Sequence, residues 1–146
     1  MIIRPAAAKD IPGLHGLMKE YIVDFYKQPE PKEEDLKNLI KHLLGNPSAG
    51  LQFAAEENGE LIGFSTLYFT FSTLKMKRQA ILNDLFVKPT ARGNKVGEQL
   101  FQTCLQYIRT NHFASMTWET AKDNSITQSL YKKMGGKLSE WLVYEI

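Results

Sequence analysis

The stretch from Gln79 to Thr120 constrains the fold of this chain more than any other. A strand-like run from Gln79 to Val87 is closed by Pro89. Val96, Leu100, Phe101, Cys104, Leu105 and Ile108 then repeat with helical spacing, and a second strand is expected over Ser115 to Thr120. Two strands joined through a helix lie parallel, because the crossover returns the chain to the end from which it started. The loop before the helix reads Arg92-Gly93-Asn94-Lys95-Val96-Gly97. Glycines let the backbone approach a ligand closely, and unpaired amides at a helix N-terminus offer donors and a positive dipole end to an anion such as a pyrophosphate. An ordinary strand-to-helix turn that uses glycine for its geometry is the other reading of the same residues.

The rest of the chain supplies layers for that unit. Ile2 to Arg4 reads as a strand. Asp10 and Pro12 open a helix whose positions Ile11, Leu14, Leu17, Met18, Tyr21, Ile22 and Phe25 share one face, ended by Pro29 and Pro31. Leu36, Leu39, Ile40, Leu43 and Leu44 make a second amphipathic helix, begun by Glu33, Glu34 and Asp35 and stopped by Gly45 and Pro47. Gln52 to Glu56 and Leu61 to Phe71 flank Asn58-Gly59, a hairpin signal. A fourth helix is expected from Ser125 to Met134. Lys137 to Ile146 is expected to add a last strand or pair of strands, with Trp141 and Tyr144 as packing anchors. The fold class is α+β with an α/β-like centre: a mixed, mostly antiparallel sheet of about six or seven strands around a central parallel βαβ unit, flanked by about four helices.

At 146 residues with 43% apolar side chains, residues 1–146 suit a single domain with one continuous core. The single cysteine excludes an internal disulfide, and Met1-Ile2-Ile3 begins as a strand rather than as a charged leader, so a cytoplasmic setting is expected. No apolar run approaches the roughly 20 residues of a membrane helix. A net charge of +2 is too mild to point to nucleic acid, and Lys75, Lys77 and Arg78 form only a small basic cluster. His15, His42 and His112 lack metal-ligand spacing, so no metal is expected. Cys104 lies on an apolar helix stripe and reads as a buried small hydrophobe rather than a nucleophile.

A second element downstream adds to the loop: Asn124-Ser125-Ile126-Thr127-Gln128-Ser129-Leu130-Tyr131-Lys132-Lys133-Met134-Gly135-Gly136. Together the two resemble the GCN5-related N-acetyltransferase (GNAT) family, whose pattern is a strand, an Arg/Gln-x-x-Gly-x-Gly/Ala loop, a helix, a strand and an Asn-led helix carrying a tyrosine shortly before a glycine. Within it the chain is most similar to the spermidine/spermine branch and its diamine and thialysine relatives, on Ile3-Arg4-Pro5-Ala6, Gly63-Phe64, Tyr68-Phe69-Thr70-Phe71, Asp84 before Phe86-Val87, and Tyr131-Lys132. Lys95 stands where the family's loop has its middle glycine.

The resemblance implies acetyl-CoA as cosubstrate. Its pantetheine arm would lie against Leu85, Phe86 and Val87, and its pyrophosphate against Arg92, Gly93, Asn94, Lys95, Val96, Gly97 and Glu98. Asn124, Tyr131 and Lys133 would complete the site, although Asn124 also reads as a plain helix cap and Lys133 as a solvated lysine. The resemblance makes Tyr131 the acid that protonates the departing thiolate, a task open to a phenol of pKa about 10; by itself, a tyrosine on an amphipathic helix reads as a packing residue.

The base is open between Asp84 and Glu119, each of which also reads as a plain strand carboxylate. Asn83 takes the place of a glutamate in the polyamine branch and cannot act as a base. Glu20, Tyr21, Asp24 and Tyr26, with Asn83 and Asp84, are the candidate substrate-binding residues, since carboxylates and ring faces suit an alkylammonium. Ser72 and Leu74 replace an acid and a tryptophan of that branch, which leaves the acceptor open among a polyamine-like amine, an amino-acid-like amine and a peptide amine. A non-catalytic acyl-CoA sensor is the remaining alternative. Family members of this branch commonly form dimers, and the apolar run Trp141-Leu142-Val143-Tyr144 makes a homodimer the expected assembly.

Overall fold

The computed structural model describes residues 1–146. Its elements are strand β1 (Ile2–Pro5), helices α1 (Ile11–Lys19) and α2 (Glu33–Gly45), strands β2 (Gly50–Glu57), β3 (Glu60–Ser72) and β4 (Lys77–Val87), helix α3 (Val96–Thr110), strand β5 (Met116–Thr117) and helix α4 (Ser125–Lys133). A single π-helical turn, Glu20–Phe25, extends α1. The sheet order is β1-β2-β3-β4-β5, antiparallel except for the β4–β5 pair. The β2–β3 hairpin turns at Asn58 (φ 52°) and Gly59 (φ 77°), two left-handed residues whose twist matches that of the flanking strands.

Helices cover both faces. On one, Leu14, Leu17 and Met18 of α1 and Leu36 and Ile40 of α2 pack with Ala54, Phe64 and Phe86. On the other, Val96, Leu100, Phe101, Cys104 and Ile108 of α3 pack with Phe53, Leu67, Ala80 and Leu82. Cys104 is fully buried with Sγ 3.2 Å from Ser65 Oγ, and burial pushes its thiol up to about 11. A thiol so placed is inert packing, as its stripe position suggests.

The N-terminus of α1 is tied to the sheet by charge. Asp10, almost fully buried, receives Arg4 Nη1 at 2.7 Å and Nη2 at 2.9 Å, and the Ala7 amide at 2.8 Å. Arg4 also donates to Glu56 Oε1 at 3.1 Å. The guanidinium hydrogen bonds hold the Asp10 carboxyl below the usual range against the opposing effect of burial.

Three expectations are corrected. The sheet has five strands rather than six or seven, because Lys137–Ile146 forms no strand: Trp141 is 78% and Tyr144 87% exposed, so neither is a packing anchor. The parallel pair therefore lies at the edge of the sheet, not at its centre. The second strand of that pair is also shorter than Ser115 to Thr120, since it pairs only through Ala80↔Met116 and Ile81↔Thr117. Beyond Ile81 the two chain segments diverge and leave a groove along the second half of β4.

Candidate active site

The groove owes one wall to an irregularity in β4. Thr66 pairs with Asp84 and Leu67 with Leu82, so Asn83 has no partner and bulges outward. In an uninterrupted strand, Ala80, Leu82, Asp84 and Phe86 would all face one way. Here Ala80 and Leu82 face α3, whereas Phe86 packs with α1 and Leu85 and Val87 turn to the α3 side. Asp84 goes with Phe86 to the α1 side, where Tyr21 waits.

The π-helical turn positions that tyrosine. Its widened hydrogen bonding, seen in Tyr26 N donating to Tyr21 O at 3.1 Å, sets Tyr21, Phe25 and Tyr26 together as an aromatic group. The Tyr21 ring lies 4.9 Å from Tyr26 (edge-on), 5.7 Å from Phe64 and 5.6 Å from Phe86. Burial raises the Tyr21 phenol far above its usual value, with the adjacent Asp84 charge acting in the same sense. Burial likewise raises Asp84. The Thr66, Tyr21 and Asn83 side chains turned toward the carboxylate oppose that shift, with Asn83 Nδ2 donating to Oδ1 at 3.1 Å. Thr66 is itself held by Gln52 Nε2 at 3.1 Å, and Tyr68 is raised by burial and by the same carboxylate. Asp84 is thus a carboxylate shifted toward neutrality in an aromatic wall, the setting a general base requires.

Thr66, Tyr68 and Gln52 did not figure among the sequence candidates. Their signal is the cross-strand register opposite Asp84, which follows only once β3 and β4 are paired. Of the other candidates on this side, Glu20 and Asp24 ride the π turn, with Asp24 exposed. Glu119 lies past the end of β5, exposed, with no hydrogen bond or ion pair of its own.

At the far end of β4 the chain leads into α3 with the amides of Gly93 to Gly97 unpaired. None of the six amides from Gly93 to Glu98 donates to a backbone carbonyl, and the N-terminus of the 15-residue α3 stands behind them. Gly93 has φ 88°, a value that disfavours any side chain. Lys95 holds the left-handed conformation (φ 61°, ψ 20°) that a glycine would adopt freely. A Cβ on Gly97 would meet Val87 Cγ2 at 3.6 Å, an ordinary contact, so it is any larger side chain that would intrude on the groove. Val96 is buried, Glu98 sits in the first turn of α3, and Asn94 Nδ2 reaches Ala91 O at 3.5 Å. Arg92 folds back: Nε donates to Val87 O at 3.0 Å and the guanidinium lies 5.7 Å from the Phe86 ring centre and 5.9 Å from that of Phe25. This donor set, six free amides with flanking cations, fits a diphosphate.

The opposite wall is α4. Asn124 caps it, Oδ1 accepting from Thr127 N at 3.2 Å, while Lys133 is exposed in the last turn. Tyr131 is half-buried against Trp118 (ring centres 5.3 Å apart) and Phe101 (6.0 Å). Burial, and then the proximity of the Tyr26 phenol, raise its pKa, so it carries its proton throughout the neutral range.

Known proteins share this fold. The sequence model of the acetyltransferase (GNAT) family matches residues 14–136. The chain belongs to this family. It is accordingly an acyltransferase of the GNAT type. It is 38% identical over 135 residues to an uncharacterized N-acetyltransferase, YhfO, of Bacillus subtilis (strain 168), covering 92% of this chain and 89% of that one. A solved structure of a probable acetyltransferase is 30% identical and superposes with a TM-score of 0.90, covering 100% of this chain and 97% of the other. The same fold, at 23% identity and a TM-score of 0.80, is found in a predicted acetyltransferase of Clostridium acetobutylicum solved with acetyl-CoA, covering 99% and 95% of the two chains.

Proposed function

We propose that this GNAT enzyme transfers the acetyl group of acetyl-CoA to the primary amine of a small molecule, polyamine-like or amino-acid-like. The single observation that carries the reading is the bulge at Asn83, which delivers Asp84 into a wall of four aromatic rings beside the groove. A half-buried carboxylate among ring faces suits an ammonium ion, by charge and by cation–π attraction. The likeness of Ile3-Arg4-Pro5-Ala6 and Tyr68-Phe69-Thr70-Phe71 to the polyamine branch supports a small cationic acceptor.

The cosubstrate supplies an activated acetyl thioester. Around it the chain's residues divide the work. The amides from Gly93 to Glu98 hold the diphosphate, and Leu85, Phe86 and Val87 border the pantetheine arm along the half of β4 that β5 leaves unpaired. Asp84 accepts a proton from the ammonium, an exchange favoured by its raised pKa, and frees the nitrogen lone pair for attack. Tyr131 donates its phenolic proton to the departing thiolate sulfur. Of the two protons the acceptor loses, one replaces that phenolic proton and the other passes to solvent, so charge and atoms balance.

The test is a panel of diamines, amino acids and peptides with acetyl-CoA, read by release of free thiol. Fastest release with a small amine is expected. Release only with peptides overturns the small-molecule reading, and no acceptor-dependent release from any member overturns the catalytic one.

A further inference from the structure

We propose that Arg92 serves the acceptor side of the site: it is a strut from the loop before α3 to the aromatic wall around Asp84, and it holds Phe25 and Tyr26 in place for the acceptor. Its position in the loop suggests a diphosphate ligand, but its side chain runs the other way. Nε donates to Val87 O at 3.0 Å, and the guanidinium lies 5.7 Å from the ring centre of Phe86 and 5.9 Å from that of Phe25. Phe86 packs on the α1 face of the sheet and Phe25 sits on the π turn that extends α1, so the guanidinium belongs to the wall of Asp84. Arg92 has no ion pair; the carbonyl and the two rings fix its place.

That wall has an inner and an outer half. Phe64 and Phe86 are buried in the core, whereas Phe25 is 51% and Tyr26 54% exposed. The outer pair stands where the helix ends: the π turn stops at Phe25, and Lys27 carries the chain away in the left-handed conformation (φ 55°). Exposed rings at the end of a helix have few neighbours to offset the entropy of holding one rotamer. Phe25 leans on Tyr26 at 5.0 Å and on Phe86 at 6.4 Å between ring centres. The guanidinium touches both Phe25 and Phe86, and so fastens the loose ring to the fixed one. Arginine suits this task by shape. Its planar guanidinium rests against rings while Nε donates in its own plane to a carbonyl, which the compact ammonium of a lysine cannot do.

The strut also joins the two ligand sites. Arg92 precedes Gly93, the first of the six free amides, so fixing the loop backbone fixes the foot of the strut and steadies Phe25 at its tip. The inference rests on the proposed placement of acetyl-CoA at the loop and of the amine beside Asp84.

The test compares Arg92→Lys and Arg92→Met with the wild type by three measurements: the Kd of acetyl-CoA, the KM of the best acceptor at saturating acetyl-CoA, and hydrogen exchange at the Tyr26 and Gln28 amides. Those amides donate to Tyr21 O and Ile22 O, so their exchange reads the opening of the π turn with no acceptor present. Loss of the ring contacts and the Val87 hydrogen bond should raise the acceptor KM about tenfold in both variants, with little change in the Kd of acetyl-CoA. Exchange at the two amides should quicken in both variants, and acetyl-CoA should slow it in the wild type alone. The lysine is the deciding arm, because it keeps the charge that a phosphate needs and loses the planar fork. A Kd for acetyl-CoA that rises in Arg92→Met and recovers in Arg92→Lys makes Arg92 a phosphate ligand and overturns the proposal. A rise in acceptor KM that Arg92→Lys rescues overturns it as well. If no amine in the panel reacts, the proposed function fails while the exchange measurement still decides the strut: rates unchanged in both variants refute it.

Discussion

The wall of the groove that holds Asp84 and the wall that holds Tyr131 differ in how much of their order the chain supplies alone. Tyr21, over the carboxylate, touches four rings, Phe25, Tyr26, Phe64 and Phe86, drawn from three separate elements. Helix α4, which carries Tyr131, buries none of its nine residues, and Tyr131 leans on just Phe101 and Trp118. Fixing a side chain costs conformational entropy, and only dense packing offsets it before a ligand arrives. The wall of Asp84 is densely packed, and that of Tyr131 is held by fewer contacts.

The sharpest way to break that contrast is to remove the preorganised carboxylate. Asp84→Asn should lower kcat about 10²–10⁴-fold, the usual worth of general base assistance, measured by thiol release with the best acceptor. In the wild type the acid limb of the kcat/KM profile should lie above the ordinary carboxylate range, as burial raises this group, and the limb should vanish in the variant. Stability carries the opposite sign. A carboxyl raised by folding binds more protons folded than unfolded between its two pKa values, so stability falls as pH climbs through that interval, and Asp84→Asn should melt higher than wild type at neutral pH. A variant that keeps near-wild-type turnover removes the base assignment.

The same wall can be loosened from its base. Asp10→Ala leaves Arg4 with Glu56 alone and the Ala7 amide without its acceptor, and should cost about 2 kcal/mol by urea denaturation at neutral pH. Because folding lowers the Asp10 pKa, the pair contributes fully above the unfolded value. That contribution is lost as pH falls through the folded one, where wild type and variant should converge. At the cradle, a hundredfold excess of acetyl-CoA over its Kd should stabilise the wild type by about 2.7 kcal/mol, seen as a thermal shift that Gly97→Trp abolishes. An unchanged shift would refute the diphosphate site at this loop.

On the looser wall the expected effects are smaller. Tyr131→Phe keeps the ring's packing and removes the proton, and should lower kcat by about tenfold to a hundredfold with little change in acetyl-CoA affinity. An effect larger than that of Asp84→Asn would invert the contrast between the walls. Smallest of all, Lys95→Gly relieves a left-handed lysine and should change stability by about 1 kcal/mol or less, the strain relief being offset by the greater backbone freedom of glycine in the unfolded chain.

Much of this was legible in the residues. Asn58-Gly59 marks its hairpin, the α3 stripe its buried face, and Arg92 to Gly97 the loop, because each is a local pattern with a local cause. What was not legible depends on pairing. Which face Asp84 occupies is decided by its register opposite Thr66, and no periodicity within β4 reveals that the alternation breaks at Asn83. The fold-back of Arg92 onto Phe86 and Phe25 depends on where the π turn sits. The final ten residues read as strand by composition, yet a strand exists only beside another, and within one copy they have none.

The unpaired residue in β4 has a consequence for how this enzyme can vary. Along a strand, sidedness works like parity, and one supernumerary residue switches it for everything that follows. Deleting Asn83 would remove the amide that donates to Asp84 Oδ1, but it would leave Leu82 and Asp84 adjacent in the ladder, as their partners Leu67 and Thr66 already are, and every later side chain on its present face. Drawing Asn83 into the ladder as an ordinary strand residue would instead send Asp84 and Phe86 to the α3 face and bring Leu85 and Val87 to the α1 face, exchanging the carboxylate for an aliphatic lining. The strand can therefore lose a residue at position 83 without changing which side chains line the site, but it cannot take that residue into regular pairing without turning the active site inside out.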